Sequence, residues 1–293
     1  MSQTELILNP DSSIYHLGLK PGELAKKIIF VGDPARVDRV AEHFEDVTIR
    51  RKKREFHTVT GIYKSTPISV ISTGIGTDNI DIVWNEIDAL FNVNFSDQTV
   101  KESLTSLKVL RLGTCGGLQP HIPVGTVVYS RFAIGADAMM QYYAQERTVS
   151  HATLEEKLSE FVKKRLGLRV RMYGSVGSGS LERLIHEHYP QVESGITFTA
   201  AGFYGPQGRS LGRIPLLKQD LIDGVSKFSF GDREVLNMEM ETSGILGLSQ
   251  ALGHRAGSLS VILANRRTGE FSEDPTGHIE DLIQKGLHIL HKW

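Results

Sequence analysis

Val109-Leu110-Arg111-Leu112-Gly113-Thr114-Cys115-Gly116-Gly117 is the stretch on which the fold turns. A short apolar run reaches an arginine and then breaks into small residues. That is the pattern of a buried parallel strand whose C-terminal end opens as a loop onto a ligand crevice. In such a loop the glycines let backbone N–H groups approach an anion, Thr114 adds a hydroxyl donor, and Arg111 adds a planar charged fork. A plain turn beside an arginine that caps a sheet edge would use the same residues. The choice therefore depends on the sequence to either side.

Upstream, residues 27–31 form an apolar strand followed by Gly32-Asp33-Pro34-Ala35-Arg36-Val37. Asp33 suits an N-cap and Pro34 a first helical position, which predicts a helix running towards His43 with Arg36 on its first turn. Strand, glycine, helix N-terminus and arginine together make an anion site. A second strand, 68–72, ends in Thr73-Gly74-Ile75-Gly76-Thr77-Asp78, with Thr77 or Asp78 capping a helix over 79–90. No acidic strand end follows at the spacing a dinucleotide fingerprint needs, which argues against a Rossmann cofactor site. The basic run Arg50-Arg51-Lys52-Lys53-Arg54 sits among β-favouring residues and predicts a strand carrying one useful arginine among solvated ones. Residues 91–107 are polar and pattern-poor, an excursion before the organising strand.

Downstream, strands are expected over 125–133, 170–178, 196–201, 235–240 and 259–264, an amphipathic helix over 153–166, and a closing helix over 274–290 with Pro275 near its start. The glycine-rich segment 174–180 has no following lysine, so it is not a Walker loop, and His186-Glu187-His188 lacks an evident third metal ligand. Gly202-Phe203-Tyr204-Gly205-Pro206-Gln207-Gly208-Arg209 brings together aromatics, an amide and a guanidinium, a set able to stack on a flat heterocycle and bond its edge. Glu239 and Glu241 flank Met240 where a strand meets a helix, placed either to cap that helix or to accept hydrogen bonds from vicinal sugar hydroxyls. Strands and helices alternate throughout, with the functional residue types just after strand ends. This fits one α/β domain over 1–293, with a mixed central sheet flanked by helices and a loose segment at 1–13.

Composition narrows the function classes. The net charge of -1 supplies no global field for nucleic acid or anionic lipid, so arginines that bind an anion act locally. Cys115 is the only cysteine, which excludes an intrachain disulfide and a thiolate metal cluster. No apolar run approaches a membrane span and the first residues lack signal-peptide regions, so the expectation is a cytoplasmic protein.

Read in order, these segments resemble the nucleoside phosphorylase/uridine phosphorylase family. The resemblance rests on Tyr15-His16-Leu17-Gly18, Gly32-Asp33-Pro34-x-Arg36-Val37, Arg54-Glu55-Phe56, Ser72-Thr73-Gly74-Ile75-Gly76 and Arg111-x-Gly113-Thr114. It continues through Phe203-Tyr204-x-x-Gln207-x-Arg209 and Glu239-Met240-Glu241-Thr242-Ser243, so it covers essentially the whole chain. It implies a nucleoside phosphorylase-like fold and reversible phosphorolysis of uridine to uracil and ribose 1-phosphate, with inorganic phosphate as co-substrate and no metal or organic cofactor. Gly32, Arg36, Arg111 and Thr114 would hold phosphate, joined by Arg54 of a neighbouring subunit in a homo-oligomer, dimer or hexamer. His16 would reach over the interface to the sugar 5′-hydroxyl, with Tyr15 beside it. Met240 and Glu241 would take the 2′- and 3′-hydroxyls with Glu239 in support. Phe203 would stack near the base, Gln207 and Arg209 would read the uracil edge, and Arg266 would stand behind them. Arg111, Thr114, Gln207 and Arg209 are the implied catalytic set.

The chain also departs from the family pattern. Gly208 and Cys115-Gly116-Gly117 are nearer the animal-type spelling, and 91–107 and 181–194 look like insertions. Asn79 stands where some bacterial members place a serine at an intersubunit cation site. Other functions compete with uridine phosphorolysis. A purine phosphorylase would want an acid near the purine N7, where Asn265-Arg266 offers none. A hydrolytic nucleosidase of the same fold has no use for three phosphate-facing arginines. A non-catalytic nucleoside-binding protein would not need the full phosphate set.

Overall fold

The computed structural model describes residues 5–144, 149–166, 171–217 and 220–293. Its strands are β1 (Lys27–Val31), β2 (Asp46–Lys53), β3 (Phe56–Tyr63), β4 (Thr66–Ser72), β5 (Val93–Asn94), β6 (Thr99–Val100) and β7 (Lys108–Gly117). They continue as β8 (Val127–Gly135), β9 (Tyr173–Val176), β10 (Glu193–Thr199), β11 (Ser229–Phe230), β12 (Arg233–Glu239) and β13 (Arg255–Asn265). The helices are α1 (Pro34–Ala41), α2 (Thr77–Asn92), α3 (Val149–Phe161), α4 (Gly179–His188), α5 (Leu221–Val225), α6 (Thr242–Ala251) and α7 (Pro275–Lys292).

The sheet is mixed and partly closed. β7 pairs in parallel with β13 and β1, β13 runs antiparallel to β8, β8 is parallel to β10, and β10 is parallel to β12. β12 then meets the far end of β7 through Asn237–Gly117 and Met238–Gly116, closing those strands into a barrel. On the open side β1, β4, β3 and β2 extend the sheet. Side chains of β1 alternate between two cores. Ile28 and Phe30 pack with α2 residues Ile80 and Trp84, while Ile29 and Val31 pack with Val37 of α1 and Leu287 of α7. Burial on both faces explains why these strands read as continuous apolar runs.

The organising stretch does not break into a loop. Thr114, Cys115, Gly116 and Gly117 remain in β7, paired with β13 and then β12. The glycines there serve close packing. A Cβ on Gly117 would stand 3.1 Å from Ile262 Cγ2, and one on Gly113 would overlap the Arg111 guanidinium at 1.7 Å. Side chains two apart share a strand face, so Gly113 leaves room for Arg111 to fold back over the strand.

Other boundaries also differ from expectation. The helix cap at α2 is Gly76, at φ 96°, with no side-chain bond from Thr77 or Asp78. Its N–H donates instead to Glu241 Oε1 at 2.8 Å, a partner far away in sequence. Residues 91–107 contain the β5–β6 hairpin, a two-stranded sheet of its own. The helix expected over 153–166 begins earlier and changes to π-helical turns at Val162–Leu166. The 235–240 strand stops at Glu239, so Met240 and Glu241 belong to the turn before α6. The residues 181–194 form most of α4 and the start of β10. Val170, the expected start of β9, and the first residues of the 1–13 segment lie outside the described residues. Among the described residues no helix is long and apolar enough to cross a membrane.

Candidate active site

The C-terminal ends of β1, β4, β7, β12 and β13, with the loop that follows β10, converge on one cavity of about 770 Å³. At one end stand Gly32 and Asp33 after β1, Arg36 on the first turn of α1, and Gly74 after β4. Asp33 caps α1 by accepting from the Ala35 N–H at 2.9 Å, which directs the helix N-terminus towards the cavity. Arg36 donates to the Leu112 carbonyl at 3.2 Å. Burial, and then the charge of Arg111, bring the Arg36 guanidinium down to about 10. A buried cation depressed by a neighbouring cation marks a place where an anion would be stabilised.

Arg111 occupies the centre, 5% exposed. Its Nη1 donates to Ser260 Oγ at 3.0 Å, and its Nη2 lies 2.7 Å from Glu241 Oε2 and 3.1 Å from Glu239 Oε2. Burial opposes its charge, but the carboxylates outweigh burial and leave the guanidinium above its ordinary range. Burial likewise pushes Glu241 up while Arg111 pulls it down. Glu239 is used on both oxygens. Thr199 Oγ1 donates to Oε1 at 2.7 Å, the Glu241 N–H to Oε2 at 3.0 Å, and the Thr242 N–H to both at 3.1 and 2.9 Å. It therefore caps α6 and supports the Glu239-Met240-Glu241 turn. Of the two readings of this acidic pair, the capping one is what these hydrogen bonds display.

The far end is amide, guanidinium and apolar wall. Gln207 is buried, and Arg209 donates to Gln207 Oε1 and, at 2.8 Å, to the Phe203 carbonyl. An arginine only donates, so this contact sets the Gln207 oxygen towards Arg209 and leaves its amide N–H groups for another acceptor. The guanidinium stacks 3.9 Å from the centre of the Phe203 ring, and Phe203 is 51% exposed. Burial, then Arg266, lower Arg209 below its ordinary range.

Of the residues singled out in the sequence, the cavity is lined by Gly32, Arg36, Arg111, Thr114, Phe203, Gln207, Arg209, Glu239, Met240 and Glu241. Arg266 does not line it but donates to the Gln207 carbonyl at 3.2 Å. His16 and Arg54 also stand outside the lining. They meet around Tyr15, whose ring packs edge-on against His16 with centroids 4.7 Å apart and lies 5.8 Å from the Arg54 guanidinium. Leu263, Ala264 and Phe271, at and after the end of β13, line the cavity without having been singled out. An antiparallel bridge between Ala264 and Phe271 holds this wall. The only available signal was their position at a strand end. Cys115 also lines the cavity, but burial pushes its thiol up to about 12, so it is a neutral wall group.

Comparison with known proteins adds independent findings. Residues 26–291 match the family model described as "Phosphorylase superfamily". A uridine phosphorylase from Thermococcus kodakarensis is 28% identical over 95% of this chain and 87% of its own. A DeoD-type purine nucleoside phosphorylase from Oceanobacillus iheyensis is 25% identical over 94% of this chain and 99% of its own. A solved Trypanosoma brucei nucleoside phosphorylase, described as showing uridine phosphorylase activity, superposes with a TM-score of 0.88 at 32% identity, covering 98% of this chain and 100% of that one.

Proposed function

The chain belongs to the phosphorylase superfamily, and from that premise we propose that it catalyses the reversible phosphorolysis of uridine. At the level of the family the chemistry is nucleoside phosphorolysis, on a uridine or a purine nucleoside. Uridine is the finer reading, and the observation that carries it is the base end of the cavity. The carboxylates lining the cavity, Asp33, Glu55, Glu239 and Glu241, cluster with the arginines Arg36 and Arg111 or beside Gly74. The opposite end offers Gln207 and Arg209, donors suited to a carbonyl–imide–carbonyl edge.

In this reading the whole chain acts as one phosphorylase domain. Phosphate lies among Gly32, Arg36, Arg111 and Thr114, and the partner subunit's Arg54 completes the site. Glu241 and the Met240 backbone turn take the ribose hydroxyls, and Glu239 holds that turn. The C1′–N1 bond breaks with its electron pair going to the base, and a phosphate oxygen forms the new bond to C1′. Anionic phosphate beneath the sugar stabilises the positive charge that develops there, while Arg209 and Gln207 stabilise the negative charge on the leaving uracil. Phosphate brings its own nucleophilic charge, so no side-chain nucleophile takes part, and holding both reactants in one cavity removes much of the entropic barrier.

The test is product analysis. Uracil should appear from uridine with phosphate and hardly at all without it, and inosine should be cleaved more slowly than uridine. Equal base release without phosphate would turn the reading to a nucleosidase. Faster cleavage of inosine would turn it to a purine phosphorylase.

A further inference from the structure

His16 is outside the cavity, yet its ring is tied to a carboxylate. Its Nδ1 stands 2.6 Å from Oε1 of Glu86, a residue of α2 whose side chain is 12% exposed. The His16 main-chain N–H donates to both oxygens of that carboxylate at 2.8 and 3.1 Å, and the Leu17 N–H donates to Oε2 at 2.8 Å. A carboxylate that collects backbone donors in this way is acting as an acceptor. An unprotonated Nδ1 would turn a lone pair towards it at close range, so Nδ1 carries the proton. In the neutral imidazole, Nε2 is then the bare nitrogen. Tyr15 packs edge-on against the ring and restricts its rotation.

We propose that Glu86 is a positioning residue that fixes His16 as its Nδ1–H tautomer. Nε2 is thereby presented to the partner's site as a hydrogen-bond acceptor for the nucleoside 5′-hydroxyl. The inference rests on the proposed role of His16 as a sugar contact across the interface, and it specifies the direction of that hydrogen bond. The hydroxyl donates and the ring accepts. The other tautomer would present an N–H to the same hydroxyl.

The test compares uridine with 5′-deoxyuridine, in the full-length protein, for wild type, Glu86→Gln and His16→Ala. One neutral hydrogen bond should make uridine better in kcat/KM by roughly three- to tenfold in wild type. Replacing one carboxylate oxygen by NH₂ removes the bias towards Nδ1–H. Glu86→Gln should therefore bring the ratio close to one while leaving 5′-deoxyuridine within about twofold of wild type. If both substrates lose activity equally, Glu86 merely anchors the arm and the proposal is overturned. It is also overturned if the ratio survives Glu86→Gln but disappears in His16→Ala. A ratio that survives His16→Ala would instead sink the sugar contact itself. Nitrogen-15 shifts of His16 in the wild-type protein read the tautomer without any substitution. A protonated Nδ1 and a bare Nε2 are expected, and the reverse assignment would refute the role of Glu86.

Discussion

Replacing Arg36 with methionine should make the protein more stable and the enzyme worse. Burial and the neighbouring Arg111 bring the Arg36 guanidinium from 12.5 down to about 10. A folded pKa below the unfolded one means that the charge costs stability throughout the neutral range, and the cost falls away only as pH rises from the folded value towards the unfolded one. A shift of that size corresponds to about 3 kcal/mol held against the charged form. Methionine keeps much of the apolar stem but gives up the 3.2 Å bond to the Leu112 carbonyl, which offsets about 1 kcal/mol. The net gain, about 1–2 kcal/mol, should raise the melting temperature by roughly 2–6 °C in phosphate-free buffer. Phosphate bound as proposed, between the two guanidiniums, would relieve the repulsion on Arg36 in the wild type, so added phosphate should stabilise wild type far more than Arg36→Met. Losing one charge-assisted contact worth about 1.5–3 kcal/mol should raise the phosphate KM roughly ten- to a hundredfold. Thermal unfolding with and without phosphate, beside initial rates at varied phosphate, gives both quantities. A lower melting temperature for the variant, with an undiminished phosphate-induced rise, would show that Arg36 is a structural cation and refute the reasoning.

Two further outcomes bear on the site. Mixing Arg54→Ala with Arg111→Ala under subunit exchange should restore activity towards about a quarter of wild type, since half of the proposed site-sharing subunit pairs would then hold one intact site. No recovery despite proven exchange would place Arg54 in its own subunit's chemistry. Arg209→Ala should lower kcat/KM for uridine by about two orders of magnitude, because it removes the guanidinium and also frees Gln207, while the phosphate KM stays within about twofold. A large change in phosphate KM would mean that the two ends of the cavity have been misassigned.

Much of the fold was legible because burial on both faces of β1, β4, β7 and β13 writes long apolar runs into the sequence. Asp33-Pro34 likewise states the start of α1 outright, with cap and first helical residue adjacent. Barrel closure was not legible. The glycines of β7 look like a loop because the usual local reading of Gly-Gly is a turn. Their reason is the approach of Ile262 and β12, a tertiary fact. The α2 boundary was missed for the same cause. Thr77 and Asp78 have the chemistry of caps, but the N–H at Gly76 is satisfied by Glu241 from the turn before α6.

The least legible part of the site is its charge balance. Sequence motifs put Arg111 in one group and Glu239 and Glu241 in another, with separate tasks. The structure joins them in one buried cluster. A guanidinium that is 5% exposed needs a counter-charge wherever no anion occupies the cavity, and these carboxylates provide it. Their duties differ. Glu239 is fully engaged by Thr199, Thr242 and the Glu241 N–H, so it cannot turn to a ligand without uncapping α6. Glu241 has the Gly76 N–H on one oxygen and Arg111 on the other. An anion that took over Arg111 would release an oxygen of Glu241 and leave the turn held by Glu239 intact. In the proposed reaction Glu241 is therefore the carboxylate that would meet a sugar hydroxyl, and Glu239 the one that would keep it in place.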